Sequence, residues 1–588
     1  MDMHTEIRDF MITVSKKELV AAKFPNREHW LPLSNLDMCF GPPLDFSLFF
    51  CYTKPTCEEN WTFVSKVEVL KKALAEALVP YYALAGEIVP NSMGEPEILC
   101  NNRGVDFIEG FADIIFKKIR DFMVTMSKKE VVAAKFPNQE HWLPLSNLDV
   151  CFGPPLDFSL FFCYTKPTCG DNWTFVSKVE VLKKALTEAL VPYYALAGEI
   201  VPNSMGEPEI LCNNRGVDFI EGFADIELQN LNLYRADETI GCKLVPKKKN
   251  GVLAVQATGF KCGGLMVACT FGHQIMDAYS ASMFLISWAE IAQSKPFSSL
   301  PTFCRSLLNP RIPGSFDSSI ENLCIPITTF HPTKEPNLGA NNFVSRTYIV
   351  TANIINQLQS LASTNECKRT KVECFSALLW KIIAKSGTTD KNISKLGIVV
   401  DGRTRIGRGD EEKTKILASY FGSVLSIPYG SKNVDELIEK PLSWVANEVH
   451  GIVESAMTEH FLDLLDWAEA HRSVPRLLKI YAYGSREGPA LVVSSGLRFP
   501  LSKVQFGWGR PTCVSCYFPW GGDAGYVMQV QSPSENGDWI VYMHLLKEEL
   551  ELIEREAGHV FRPLTLGYLN EMEQEPLVSL SNVTDHVH

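Results

Sequence analysis

The chain has 588 residues, of which 46% are hydrophobic and 21% are charged, and its net charge is −12. This length exceeds what one hydrophobic core serves, so two or more domains are expected. The acidic balance argues against a general nucleic-acid or membrane-surface role, which needs a basic face. It leaves room for an anionic co-substrate held by a local basic patch.

The sequence indicates neither a targeting segment nor a metal site. The first ten residues contain no apolar signal core, and no run reaches membrane-spanning length. The 17 cysteines are scattered, and the one C-x-x-C pair, Cys513 and Cys516, has no second pair or histidine cluster beside it. We therefore expect a cytoplasmic protein with reduced thiols and no bound metal.

A tandem duplication organises the N-terminal part of the chain. Residues 7–114, the first copy, recur as residues 119–226, the second copy, with a shift of 112 and eight differing pairs among 108. Only the second copy continues directly into the rest of the chain. We assign it the working position and interpret residues 1–118 as a surplus duplicate. A regulatory or dimerising arm is the functional alternative, and an error in the gene sequence would give the same pattern.

The predicted elements of the second copy follow strand and helix periodicities. They are strands at 123–125, 158–163 and 209–212, a turn-rich stretch at 141–155, and a helix over 179–190. One crossover with edge strands cannot form a core alone. The second copy is therefore expected to pack on the residues that follow it.

The first candidate site follows an apolar strand predicted at 265–269. His273 is followed four residues later by Asp277, which is predicted to cap a helix over 278–292. A histidine suits general-base work because its ordinary pKa lies near neutrality. A strand end before a helix is also where α/β folds place working side chains. The structural alternative is a strand-end histidine followed by an ordinary helix cap.

A stretch rich in Pro, Ser, Asn and Gly at 309–342 is predicted to connect two domains, 119–308 and 343–588. The second domain is predicted to hold strands at 343–350, 396–400, 526–530 and 539–545, and helices at 354–361, 374–383 and 547–556. Strands and helices alternate, so an α/β or α+β class with mixed sheets is expected.

Two arginines follow the predicted strand at 396–400. Arg403 and Arg405 could belong to a solvated charged turn, or one of them could pair inward with a carboxylate. Asp277 is the candidate partner, because an unneutralised carboxylate beside a histidine base raises the pKa of that histidine.

The most specific short signature is Phe506-Gly507-Trp508-Gly509. Two glycines around a tryptophan indicate a close approach of the backbone, with the indole N–H free to donate. A packed turn is the structural alternative.

Taken in order, these motifs resemble those of the plant BAHD family of acyl-CoA-dependent acyltransferases. The matching motifs are residues 192–198, 273–277, 401–403, 420–422 and 506–509, and the resemblance covers about residues 120–570. Within the family, residues 141–149 and 519–528 are most similar to the coniferyl alcohol acyltransferase branch.

The resemblance implies two similar chloramphenicol-acetyltransferase-like domains with mixed sheets, and a channel through their interface. It implies no bound cofactor, because acyl-CoA is a co-substrate, and it places Phe506, Gly507, Trp508 and Gly509 at the CoA site. The implied protein is a monomer that acts on small molecules, with no nucleic-acid or membrane partner.

The resemblance also implies residue roles. His273 would deprotonate the acceptor hydroxyl, the Trp508 indole N–H would stabilise the tetrahedral oxyanion, and Asp277 would pair with Arg403 instead of handling protons. The chain departs from the family where Gln505 replaces an aspartate, which removes a charge from a structural motif.

Several functions stay open at this point. The first is esterification of a phenylpropenyl (coniferyl-type) alcohol, with acetyl-CoA as the expected donor. Hydroxycinnamoyl transfer to shikimate or quinate is an alternative, which Arg498 favours weakly, and an aliphatic alcohol is another acceptor. A catalytically inert acyl-CoA-binding paralogue belongs to a different class. A condensation-type enzyme that uses carrier-bound thioesters fits less well, because no carrier domain is present.

Overall fold

The computed structural model describes residues 9–24, 27–32, 63–90, 96–116, 122–149, 156–166, 173–204, 208–249, 251–326, 343–363, 367–387, 392–472 and 476–567. The chain divides into two compact units, Met1–Lys118 and Ile119–His588. The end of the turn-rich stretch at 141–155 and the second half of the crossover at 309–342 lie outside the described residues.

Among its described residues, the first unit contains one α-helix and five strands. Its strands are Asp9–Val20, His29–Pro32, Glu87–Pro90, Pro96–Cys100 and Val105–Phe116, and its helix is Phe63–Ala77. The strands form one two-stranded and one three-stranded sheet. A small core forms around Ala22, Leu78 and Ala85.

The second unit contains two large sheets, and the first of them carries the His273 loop. In spatial order, the strands of this first sheet are Cys513–Tyr517, Asp157–Tyr164, Leu265–Gly272, Leu253–Phe260, Val217–Ala224 and Val124–Val132. Leu265–Gly272 is central and antiparallel to both neighbours. The edge strand Cys513–Tyr517 comes from far downstream, so a segment of the predicted second domain completes the first sheet.

The second sheet is built from residues after 342. In spatial order, its strands are Tyr429–Asn433, Ile393–Ile398, Ala490–Ser495, Gly525–Gln531, Trp539–Leu546, Phe343–Val350 and Arg562–Pro563. Both large sheets combine parallel and antiparallel pairs. The predicted fold class, an α/β protein with mixed sheets in two domains, is confirmed.

The remaining elements surround these sheets. The helices of the second unit are Phe175–Ala189, Asp237–Leu244 (a π-helix), Ala278–Ala292, Ala352–Ala362, Lys371–Ala384, Arg403–Ile406, Glu411–Ala418, Val434–Glu439, Leu442–Glu454, Thr458–Ala470, Lys479–Tyr483 and Lys547–Ala557. The short strands are His141–Pro144, Glu199–Pro202, Pro208–Cys212, Cys324–Pro326, Val400–Asp401, Leu425–Ser426 and Arg476–Leu478. The helix predicted at 374–383 begins earlier, at Lys371, because the capping box of Thr370 and Glu373 satisfies its first backbone N–H groups.

Identical residues have different surroundings in the two copies. Tyr81 is 66% exposed in the first copy, whereas its counterpart Tyr193 is fully buried in the second. The Tyr193 ring contacts Phe284 and Phe421, and its hydroxyl lies 2.9 Å from the Ser287 hydroxyl. The second copy therefore packs on the residues that follow it, as expected for a fragment without a core of its own.

We predict that a chain starting at Ile119 keeps kcat within a few-fold of the full-length value. The second unit contains both large sheets and the His273 loop, so removal of residues 1–118 deletes no strand of either sheet. Steady-state assays of the two purified proteins would test this. An activity loss above about a hundredfold in a folded truncated protein would instead favour a regulatory or structural role for the first unit.

Candidate active site

His273 lies directly after the central strand of the first sheet. Its backbone N–H donates to the Leu156 carbonyl at 2.8 Å, which fixes the strand end against the neighbouring strand. The helix Ala278–Ala292 begins four residues later, and the Asp277 carboxylate caps it by accepting from the Ser280 N–H at 2.9 Å. His273 is partly exposed. A short loop therefore holds the imidazole between a buried strand and a capped helix.

Aromatic rings surround the imidazole of His273. The ring centroids of Phe158 and Phe518 lie 5.0 Å and 5.7 Å from it. Phe518 then contacts Tyr526 at 5.0 Å, and Tyr526 contacts Trp520 at 5.4 Å. Phe518 and Trp520 follow the strand Cys513–Tyr517, so two distant parts of the chain form one apolar wall beside the base.

Asp277 and Arg403 form a bidentate ion pair, both fully or almost fully buried. The Arg403 guanidinium donates to the two Asp277 carboxylate oxygens at 2.7 Å and 3.2 Å. It also donates to the Ser280 hydroxyl and to the Gly422 carbonyl. The residues alone left open which of Arg403 and Arg405 turns inward, and the resemblance implied Arg403. Arg403 is the one that pairs with Asp277. Its contacts tie the His273 loop to the 420–422 loop.

A second buried carboxylate near His273 was not predicted from the sequence. Asp149 accepts from the Ser423 N–H at 2.7 Å, and the Ser423 hydroxyl donates to the His273 carbonyl at 3.4 Å. The Arg305 guanidinium lies 3.6 Å from Asp149 and donates to the Tyr420 hydroxyl at 2.7 Å. This network holds the backbone of His273. Asp149 and Tyr420 belong to segments that the resemblance singled out, but their proximity was not predicted because they are far apart in the sequence.

The local environment keeps the imidazole neutral and Asp277 ionised. Burial lowers the pKa of His273, and the charges of Asp277 and Asp149 only partly oppose this shift. Burial alone would raise the pKa of Asp277, but the charge and hydrogen bonds of Arg403 outweigh it and lower that pKa. A neutral imidazole is the form that accepts a proton, whereas the carboxylate of Asp277 is held ionised by Arg403.

The acid limb of kcat/KM is therefore expected below about pH 6.5, the ordinary histidine value. A lowered pKa means that the neutral base persists to lower pH, and activity falls only as pH drops through that pKa. Asp149→Asn removes a nearby negative charge and should lower this limb further. A pH profile of kcat/KM for both proteins would test this. A limb above pH 6.5 in the unmodified chain, or a limb that Asp149→Asn moves upward, would contradict it.

The 506–509 signature lies away from His273. Trp508 packs against Tyr164 at 5.9 Å, and Tyr164 pairs with Leu265, at the start of the strand whose other end precedes His273. Seven residue steps separate Leu265 from Gly272, or about 23 Å at about 3.3 Å per residue. Phe506 packs on Trp288, in the distal half of the helix that Asp277 caps.

This geometry does not fit the oxyanion role expected for Trp508, because its indole packs at the far end of the strand from the base. A direct CoA contact of the Phe506 ring is also not favoured, since that ring is buried in an aromatic cluster with Trp508. Gly507 and Gly509 are exposed, with φ of 111° and 112°, values that suit glycine. A packed turn, the structural alternative, describes the two aromatic residues better.

Trp508→Phe is expected to change kcat by less than about tenfold. Phenylalanine keeps an aromatic ring beside Phe506 and Tyr164, although a smaller one, and removes the indole N–H. Loss of a true oxyanion donor costs about 10²–10³ in kcat. Steady-state kinetics at saturating substrates distinguish the two cases, provided that the variant melts as the unmodified chain does. A loss of the larger size would restore the oxyanion role.

The structure also locates the position where the chain departs from the family pattern. The backbone carbonyl of Gln505 accepts from the Gln293 side chain, and the Gln505 amide donates to the Ser502 carbonyl at 3.4 Å. The Gln505 side chain therefore hydrogen-bonds to nearby backbone without the charge that an aspartate would bring. Within the described ranges, no helix is long and apolar enough to cross a membrane. The same residues contain no group of three or more His, Cys, Asp or Glu side chains placed to hold a metal ion.

Comparison with known proteins places this architecture in a family. The family model described as Transferase family matches residues 10–123 and 122–560. Shikimate O-hydroxycinnamoyltransferase from Nicotiana tabacum is 26% identical over 72% of this chain and 96% of its own length. Omega-hydroxypalmitate O-feruloyl transferase from Arabidopsis thaliana is 28% identical over 62% of this chain and 78% of its own length. (Z)-3-hexen-1-ol acetyltransferase from Arabidopsis thaliana is 26% identical over 70% of this chain and 92% of its own length.

Two solved structures share the fold. Vinorine synthase superposes with a TM-score of 0.57 at 19% identity. The superposition covers 76% of this chain and 100% of the vinorine synthase chain. TRI101 of F. graminearum, complexed with coenzyme A and T-2 mycotoxin, superposes with a TM-score of 0.58 at 11% identity. The superposition covers 71% of this chain and 98% of the TRI101 chain. With the family match spanning most of the sequence, the chain belongs to the Transferase family of BAHD acyltransferases, enzymes that use acyl-CoA as co-substrate.

Proposed function

We propose that this chain transfers an acyl group from CoA to the hydroxyl of a phenylpropenyl (coniferyl-type) alcohol, with His273 as general base. The aromatic wall beside His273 is the observation that carries the proposal. Phe158, Phe518, Tyr526 and Trp520 form a continuous series of ring contacts that begins at the imidazole. A flat aromatic alcohol needs apolar walls and few polar anchors.

The proposed reaction needs one proton carrier. The neutral His273 imidazole takes the proton from the acceptor hydroxyl as its oxygen attacks the thioester carbonyl. The tetrahedral intermediate then collapses, the carbon–sulfur bond breaks, and the imidazolium returns the proton to the CoA thiolate. Asp277 stays paired with Arg403 and keeps the loop in place. Residues 141–149 and 519–528 support the coniferyl-type acceptor because they resemble that branch of the family.

Hydroxycinnamoyl transfer to shikimate or quinate is the second candidate. Arg498 is exposed, and the ring of its neighbour Phe499 lies 6.3 Å from Tyr279, in the first turn of the helix after Asp277. The Arg498 loop therefore reaches the region of the His273 loop, where a cation could bind the carboxylate of such an acceptor. The tobacco relative is named for this acceptor.

A matrix of donors and acceptors separates the candidates. The purified chain is incubated with acetyl-CoA or a hydroxycinnamoyl-CoA, and with coniferyl alcohol, shikimate, quinate or a long-chain alcohol, and esters are identified by mass spectrometry. The proposal predicts the highest kcat/KM for acetyl-CoA with coniferyl alcohol. Preference for shikimate that Arg498→Met abolishes would select the second candidate. Acyl-CoA binding without any ester would select the inert paralogue.

A further inference from the structure

Lys178 is a buried cation that lacks a matching anion. It lies in the first turn of the helix Phe175–Ala189 and is 2% exposed. Among the residues that the structure describes, no carboxylate makes an ion pair with it, and the charged group that acts on it is a second cation, Lys166. Burial, and then Lys166, lower the pKa of Lys178. Buried lysines are ordinarily paired, so this environment needs an explanation.

Two indole N–H groups beside Lys178 also lack acceptors. The Lys178 ammonium lies 5.8 Å from the ring centroid of Trp508, and the Trp508 and Trp173 rings lie 5.7 Å apart. The Nε1 atoms of both tryptophans are buried and have no hydrogen-bond partner in the described part of the chain. Buried N–H groups without partners are uncommon in native proteins. This cluster, formed by Lys178, Trp173 and Trp508, therefore offers three donors and no acceptor.

The duplication shows that the surroundings of Lys178, not its local sequence, create this cluster. Lys66 occupies the same position in the first copy, in the helix Phe63–Ala77, where it is exposed. The residues that precede the two lysines in their helices are identical. Burial of Lys178 accompanies its contact with Trp508, a residue of the 506–509 signature that belongs to neither copy.

The position of the cluster adds to its preference for anions. Thr174 caps the helix that carries Lys178, and the N-terminal end of a helix carries a partial positive charge. Lys166 contributes another positive charge nearby. A phosphate carries several acceptor oxygens that point in different directions, so it can accept from donors on three separate side chains. The cluster packs at the Leu265 end of the central strand, so it is distinct from the His273 site.

We propose that Lys178, Trp173 and Trp508 form a binding site for one phosphate group. Two sources carry this chemistry: free inorganic phosphate, and a phosphate of CoA. Only the second source rests on the proposed function, because phosphate binding does not require turnover.

Calorimetric titration of the full-length chain with inorganic phosphate, at constant ionic strength in chloride, tests the site. The test variant is Lys178→Met, which keeps most of the aliphatic stem and removes the charge. Its control is Lys66→Met, the same substitution at the duplicated, exposed position. We expect Lys66→Met to bind phosphate as the unmodified chain does, and Lys178→Met to bind it at least tenfold more weakly. Should Lys178→Met not fold, Trp173→Phe, which removes one donor, is expected to weaken phosphate binding several-fold.

A parallel titration with CoA and with dephospho-CoA identifies the source. If the CoA 3′-phosphate occupies the site, Lys178→Met weakens CoA binding about tenfold and leaves the binding of dephospho-CoA unchanged. If the diphosphate occupies it, both ligands weaken together. If free phosphate is the ligand, only phosphate binding is lost. The proposal is overturned if the Lys178→Met and Lys66→Met proteins bind phosphate and CoA equally.

Discussion

Replacement of His273 by alanine is expected to lower kcat/KM by about 10²–10⁴, the range of contributions from a positioned general base. The expectation rests on geometry: the imidazole lies at the end of the central strand, is partly exposed, and is bordered by Phe158 and Phe518. Burial lowers its pKa, so it is neutral and able to accept a proton near pH 7. The change should leave acyl-CoA affinity nearly intact, because the proposed base acts on the acceptor hydroxyl and not on CoA.

A matched control separates this effect from a general loss of histidine. His559 is exposed in the C-terminal part of the second unit, and His559→Ala should keep kcat/KM within about twofold. Both variants are compared with the unmodified chain by steady-state kinetics, with their melting temperatures measured as a check on folding. Near-full turnover by a folded His273→Ala protein would rule out His273 as the base.

Replacement of Arg403 by methionine is expected to destabilise the chain by about 3–5 kcal/mol, the cost of leaving a buried carboxylate unpaired. Asp277 is fully buried, and Arg403 supplies two of its hydrogen bonds. The same side chain holds the Gly422 carbonyl, so its loss also releases the loop that lies against His273. Activity should fall with stability, because the position of the base depends on this loop.

The double variant Asp277→Asn/Arg403→Met tests that cause. Asparagine still caps the helix and carries no charge, so the double variant should be more stable than Arg403→Met alone. Arg408→Met is the control, because Arg408 is exposed and its guanidinium lies 3.9 Å from the Met457 sulfur, away from any carboxylate partner among the described residues. Urea unfolding followed by circular dichroism measures all three. If Arg403→Met and Arg408→Met cost the same free energy of unfolding, the pair does not stabilise the fold.

The local parts of the site could be predicted from the sequence. The strand before His273, the cap at Asp277 and a pairing between Asp277 and an arginine of the 401–405 segment each follow from short patterns and from the need to neutralise a buried carboxylate. The helices Leu442–Glu454 and Thr458–Ala470 were not predicted, although Val445, Val449 and Ile452 have helical spacing.

The long-range contacts could not be predicted. The strand Cys513–Tyr517 joins the first sheet across about 350 residues of chain, and no local pattern selects that partner. The distance between Trp508 and His273 could not be predicted either. A family motif shows which residues occur together in the sequence, and it does not give the distances between them in the fold. The hydrogen bond from the Ser423 N–H to Asp149 is another contact between distant parts of the chain that no local pattern predicts.

The duplication shows how far local sequence can be trusted. Leu70 and Leu182 occupy the same position in nearly identical segments, yet Leu70 is 59% exposed and Leu182 is fully buried. The helix forms in both copies because its periodicity is local. Burial differs because Leu182 packs under the helix Ala278–Ala292, where the Trp288 indole N–H donates to the Leu182 carbonyl at 3.0 Å. Secondary structure therefore followed from the local residues, whereas the burial of each copy did not.

A crystal structure of the full-length chain with a non-reactive acyl-CoA analogue and coniferyl alcohol would test the central claim most directly. We predict that the alcohol oxygen lies within about 2.6–3.2 Å of the His273 imidazole, with the thioester carbonyl carbon next to that oxygen and the ring of the alcohol against Phe158 and Phe518. An alcohol bound out of reach of the imidazole, or a thioester that enters elsewhere, would contradict the account.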